Sequence, residues 1–201
     1  MNSRRIRYVI PAVLVLGLAI ASLAVAASQD HGKSKGWNNG KSQAWWKQNR
    51  NQFKAVLTGR EEVPATHSRG TGRLSLTVNP DNTMSFELTY SGLANAATAA
   101  HVHFGQRDVN GGVSFFLCGG GSKPACPAGT TSPATVTGTI VSSDVQAIAT
   151  QLLAAGDLAG IVEEIKAGFT YANIHTAVSP GGEIRGQLYG SRHSKGFRHD
   201  D

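Results

Sequence analysis

From Phe53 onward the chain alternates apolar and polar side chains. In GRLSLTV, residues 72–78, Leu74, Leu76 and Val78 fall on one face, and in TMSFELTY, residues 83–90, Met84, Phe86, Leu88 and Tyr90 do the same. A period of two marks half-buried strands. Between them NPDN, residues 79–82, has turn chemistry, so the pair reads as a hairpin. Further strands are expected at 53–58, 100–104, 113–117, 135–141, 169–175 and 183–189, and short strands in that number predict a sandwich or barrel.

One stretch breaks the alternation. Val145, Ile148, Ala149, Leu152 and Leu153 recur at helical spacing behind a Ser143/Gln146 capping box. A second short helix is expected after Asp157, with Leu158, Ile161, Val162 and Ile165 as its apolar stripe and Gly168 as its stop. The helical insertion precedes the last two strands and covers an open end of the sheet. AVSPGG, residues 177–182, reads as the turn between those strands, with Pro180, Gly181 and Gly182 making the reversal.

The ends differ from the middle. Arg4, Arg5 and Arg7 precede an uncharged run from Tyr8 to Ala27 with small residues at Ala24 and Ala26, the pattern of an export signal cleaved after Ala26 or Ala27. The run is also long enough to cross a bilayer, so residues 1–27 are a signal peptide or an N-terminal membrane anchor. Residues 28–51 are rich in Gly, Ser, Asn, Gln and Lys without either period and read as a flexible linker, although it holds Trp37, Trp45 and Trp46. The domain spans 52–190, and 191–201 is a disordered basic tail. The formal charge of the whole chain is +6, but it resides in these ends, because residues 52–190 carry eight Lys or Arg against ten Asp or Glu. No Arg/Lys stripe of the kind that grips nucleic acid is present, and membrane contact is expected only through an uncleaved N-terminus.

Export places Cys118 and Cys126, the two cysteines, in an oxidising compartment where a disulfide is expected. The location is secreted, periplasmic or cell envelope, or anchored at the envelope if the N-terminus is kept.

Alternation also organises the polar residues. If Val102 and Phe104 face the core, His101 and His103 face away together. The same parity puts Asn173 and His175 outward beside an inward Ile174, and Glu183, Arg185 and Gln187 outward beside Ile184 and Leu188. Two chemistries suit such a face. One is a hydrogen-bonded network in which Arg185 pairs with Glu183 and the histidines donate to carbonyls. The other is a copper or zinc site on His101, His103 and His175, with Glu183 as an added oxygen ligand.

Three blocks then become familiar. LTGREEVPATHSRGTGRLSLTV, LTYSGLANAATAAHVHFGQRDVNGGVSFFLC and YANIHTAVSPGGEIRGQL together resemble the CHRD domain, the module repeated in chordin and found alone in exported bacterial proteins. The resemblance implies an extracellular, immunoglobulin-like antiparallel β-sandwich, all-β apart from the helical insertion; a binding module of this kind would take an extracellular protein, a glycan or another CHRD domain as partner. The cysteine-rich modules of chordin are absent, so its growth-factor partners are not implied. HVHFG is similar to the copper-ligand strand of copper/zinc superoxide dismutases, with His101 and His103 matching two ligands and His175 a third. No histidine-rich loop follows Gly105, and His67 is the other histidine inside the domain, so a mononuclear site is what this likeness implies. With no catalytic residue assigned and no phosphate loop, the leading reading is a non-catalytic binding module; the alternative is a metal-binding protein or redox enzyme.

Overall fold

The computed structural model describes residues 51–190. The expected export signal, the linker and the basic tail lie outside them. Nine strands follow one another as β1 (Gln52–Thr58), β2 (Thr71–Val78), β3 (Met84–Ser91), β4 (Ala97–Phe104), β5 (Gly112–Cys118), β6 (Ala134–Ile140), β7 (Thr170–Thr176), β8 (Ser179–Gln187) and β9 (Tyr189–Gly190), with one helix, α1 (Leu158–Ala167), before the last three. The fold is all-β and antiparallel, with the helix where the sequence places it.

The strands hydrogen-bond in the order β5-β4-β7-β8-β1-β2-β3-β6, with β9 added to β1. Two four-stranded halves are recognisable, joined between β8 and β1 at a single register pair, Thr58 with Arg185. Immediately after, the chain crosses the junction: Gln187 still pairs with Tyr171 on β7, while Tyr189 pairs with Lys54 on β1. A Cβ on Gly186 would stand 2.1 Å from the Val56 carbonyl oxygen, so the close approach at this corner requires glycine. The terminal strands β5 and β6 also touch, and the sheet curls nearly into a barrel. One apolar cluster fills it, drawn from the alternate positions Leu74, Leu76, Phe86 and Leu88 and from Val102, Ile174 and Ile184.

The helix forms for legible reasons. Asp157 accepts the Gly160 N–H at 2.8 Å as its cap, Leu158, Ile161, Val162 and Ile165 enter the core, and Gly168 ends it. The expected first helix does not form. Its segment holds two 3₁₀ turns, Ser142–Asp144 and Ala149–Gln151, with an Ile148–Leu153 bridge. The reason is tertiary. Asp144 is buried and accepts from Lys123 Nζ (2.8 Å) and Ser122 Oγ (3.0 Å) of the β5–β6 loop and from the Val141 N–H (2.9 Å), while the Gln146 N–H is taken by the Ser114 carbonyl. Leu152 is left 94% exposed at φ 59°.

The final hairpin also differs from expectation. The chain reverses at Ala177 and Val178, with Thr176 opposite Ser179. Pro180, Gly181 and Gly182 instead form a bulge between that pair and the Ile174–Ile184 pair. Cys118 and Cys126 are bonded as expected.

Cys118→Ser/Cys126→Ser is expected to lower unfolding free energy by about 2–3 kcal/mol in denaturant titrations, because the bridge closes a short loop in the unfolded chain. Leu152→Asn is expected to leave stability within about 0.5 kcal/mol of the parent, or raise it, because Asn tolerates the left-handed backbone. A loss of about 2 kcal/mol or more would instead signal a packed helical position.

Candidate metal centre

The pleat of β4, β7 and β8 presents two polar rows on the face away from the apolar core. His101 is opposite Asn173, which is opposite Arg185; His103 is opposite Tyr171, which is opposite Gln187. His175 sits one pleat beyond Asn173, opposite Ala99. The shared face expected from alternation is therefore present, but it is not solvated. His101 and His103 are 7% and 9% exposed, Asn173 is buried, and Arg185 retains 2%.

The loop from Gly105 to Gly111 helps close this face. Arg185 donates to Asn110 Oδ1 (3.1 Å) and to the carbonyls of Gln106 (3.2 Å) and Val109 (2.9 Å), and its guanidinium lies 3.4 Å from the centre of the Tyr171 ring. The other stacking partner of Tyr171 is His103, at 4.5 Å between ring centres and 7° from parallel. Gly111 completes the clasp. Its N–H donates to Tyr171 Oη at 3.1 Å, and its carbonyl accepts from His103 Nδ1 at 2.9 Å. A Cβ here would fall 1.6 Å from the Phe104 carbonyl oxygen, so only glycine lets the loop lie this close. Gln187 Nε2 adds bonds to the carbonyls of Gly105 and Gly168.

The three imidazoles meet in this layer. The His101 ring centre is 4.5 Å from that of His103 and 4.4 Å from that of His175, and one ring nitrogen from each of the three lies within 4.8 Å of the others. His175 Nδ1 bonds to the Pro180 carbonyl at 2.9 Å, a contact supplied by the β8 bulge. A carbonyl only accepts, so Nδ1 carries the hydrogen in both His103 and His175, and Nε2 carries the lone pair. Both Nε2 atoms, and Nδ1 of His101, are buried without a hydrogen-bond partner. Three buried ring nitrogens without partners, on three neighbouring imidazoles, are uncommon in a folded interior, where buried polar atoms find partners.

Glu183 stands apart from this cluster. Its Oε1 accepts from Ser68 Oγ and the Ala94 N–H and its Oε2 from Thr176 Oγ1, each at 2.7 Å. It makes no ion pair with Arg185; the ion pairs among the described residues are Arg107–Glu61 and Lys123–Asp144. The bulge places Glu183 among Ser68, the Ala94 N–H and Thr176, and these donors take the charge that parity had assigned to Arg185. His67 is exposed and outside the cluster.

Tyr171 and Glu62 also belong to this polar layer, although neither is among the residues expected on it. Tyr171 shares the parity of Asn173 and His175, which would have found it. Glu62 lies in an irregular loop with no period to read. It is buried against Asn173, and its Oε1 and Asn173 Oδ1 both lack partners.

The model of one family, described as the CHRD domain, matches residues 53–188. The chain belongs to the CHRD domain family. No curated protein and no solved structure matches it.

Burial sets the electrostatics of this CHRD domain. Desolvation pulls His101 down to about 3 from an ordinary 6.5, helped by the neighbouring imidazoles, and His103 to about 4 despite its bond to Gly111. Desolvation lowers His175 as well. All three are neutral near pH 7, the state in which an imidazole binds a metal. Glu62 moves the other way: burial raises it from 4.5 to about 7, against the pull of the Arg185 charge and the Asn173 bond.

The two groups have opposite consequences for stability. Below pH 6.5 the unfolded CHRD domain takes up imidazole protons that the folded one refuses, so this contribution is full above 6.5 and is lost as pH falls toward about 4. Glu62 binds its proton more tightly when folded, so its contribution is full below 4.5 and is lost as pH rises toward 7. Denaturant midpoints of metal-free protein should therefore fall on acidification below pH 6.5. Glu62→Gln should steepen the rise between pH 5 and 7, and His101→Asn/His103→Asn should flatten it; midpoints that increase on acidification in the Gln variant would contradict the neutral assignment.

Proposed function

We propose that this CHRD domain is an exported, non-catalytic module whose ligand is a single copper or zinc ion, held by His101, His103 and His175. The observation that carries the reading is the set of three buried nitrogens, His101 Nδ1, His103 Nε2 and His175 Nε2, that no protein donor satisfies. Imidazole nitrogen suits both metals. The backbone carbonyls of Gly111 and Pro180 support it further, because a hydrogen bond to the far ring nitrogen fixes tautomer and ring orientation in metal-ligating histidines. A bound ion would supply Lewis acidity or, for copper, one-electron chemistry. The chain's own residues hold, orient and seal: Tyr171 backs His103, Phe116 meets His101 edge-on at 5.2 Å, and Arg185 pins the loop above them.

Export rests on the signal-like N-terminus and on the Cys118–Cys126 bridge, which suits an oxidising compartment. A protein or glycan partner rests on the family resemblance alone.

Purified mature protein is expected to hold close to one equivalent of copper or zinc by elemental analysis, or to take it up after stripping. His101→Ala/His103→Ala should lose that equivalent while keeping a β-sheet circular dichroism spectrum. Protein that arrives without metal and then accepts neither ion would sink the proposal.

A further inference from the structure

Charge bookkeeping around the three imidazoles narrows the ion. Every donor nitrogen is neutral, and the two outer-shell acceptors identified, the Gly111 and Pro180 carbonyls, are neutral as well. Among the described residues the cluster consists of His101, His103 and His175, without a carboxylate. Glu183, the nearest acid by strand register, has both oxygens engaged by Ser68, Ala94 and Thr176. Glu62 is buried near Asn173 and Arg185 and is not one of the clustered groups. The cation that reaches this layer is Arg185, held on the far face of the Tyr171 ring that stacks on His103.

The cost of burying an ion grows with the square of its charge, so a divalent ion pays about four times the desolvation cost of a monovalent one of similar size. Among the described residues no anionic ligand at the cluster offsets that difference, and a guanidinium one ring away adds to it. Coordination number points the same way. Zinc with three protein ligands keeps an external fourth, whereas monovalent copper is satisfied by two or three nitrogens.

Resting on the three-histidine reading, we infer that the site is built for copper in its monovalent state, bound by His101, His103 and His175 without an anionic protein ligand. The uncharged shell and the count of three donors carry this inference; the metal reading itself needs only the unsatisfied nitrogens.

The test is an anaerobic competition on the full mature chain. Cu(I), kept reduced with ascorbate so that the Cys118–Cys126 bridge stays closed, is offered as its bicinchoninate complex, and Zn(II) is offered separately against a chromophoric chelator. One equivalent of Cu(I) is expected to bind on the order of 10²-fold or more tightly than Zn(II). The His101→Ala/His103→Ala chain, which retains His31, His193 and His199, should lose that equivalent. Zinc binding as tight as Cu(I) or tighter would overturn the inference and leave the three-histidine site standing. Uptake of neither ion would overturn both, and Cu(I) retained by the double variant would place the ion elsewhere and overturn the assignment.

Discussion

The burial of a polar sheet face is the constraint on which this molecule turns. A β-layer with an apolar core on one side normally meets water on the other, and its polar side chains are then satisfied by solvent. Here loops from 59–70 and 105–111 supply partners to the outer face of β4, β7 and β8, and each side chain there must find a partner inside the protein. Most do. Arg185 spends its donors on three loop acceptors, Gln187 on two carbonyls, and Glu183 accepts from three donors. Asn173 Oδ1 and Glu62 Oε1 are exceptions, and so are one ring nitrogen on each of His101, His103 and His175, three neighbouring imidazoles.

The arrangement also explains why two different readings of the same residues are compatible. The hydrogen-bonded network and the ligand cluster are not rivals, because each imidazole has two nitrogens. Nδ1 of His103 and of His175 belongs to the network, stitched to Gly111 and Pro180, and that stitching is what leaves Nε2 free. The loop and the bulge thus support the imidazoles from outside, and Tyr171 is clamped between a guanidinium and an imidazole.

Much of this was legible in one dimension. The period of two placed His101 and His103 on a common face, added Asn173 and His175, and located the strands to within a few residues. The helix after Asp157 was legible because cap, stripe and stop all agreed. Where local signals lacked tertiary context, they misled. Residues 143–153 have helical spacing, yet a buried Asp144 tied to Lys123 holds them in tight turns. Pro180–Gly181–Gly182 has turn composition, yet the reversal occurs two residues earlier and the glycines serve a bulge. The fate of Glu183 followed from that bulge, which no pattern of alternation encodes. Neither does periodicity reveal loops that fold back over a sheet, so the burial of the polar face, and Glu62 within it, came only from the fold.

The junction between the two halves of the sheet is one residue pair wide, Thr58 with Arg185, reinforced by the crossing of β9 onto β1. All three imidazoles stand on β4 and β7, on one side of that seam, whereas Arg185 stands on it. Loosening of the seam would therefore leave the nitrogens in register while slackening the lid above them. The seam thus bears on the loop that Arg185 holds, and the β4–β7 pairing on the three imidazoles.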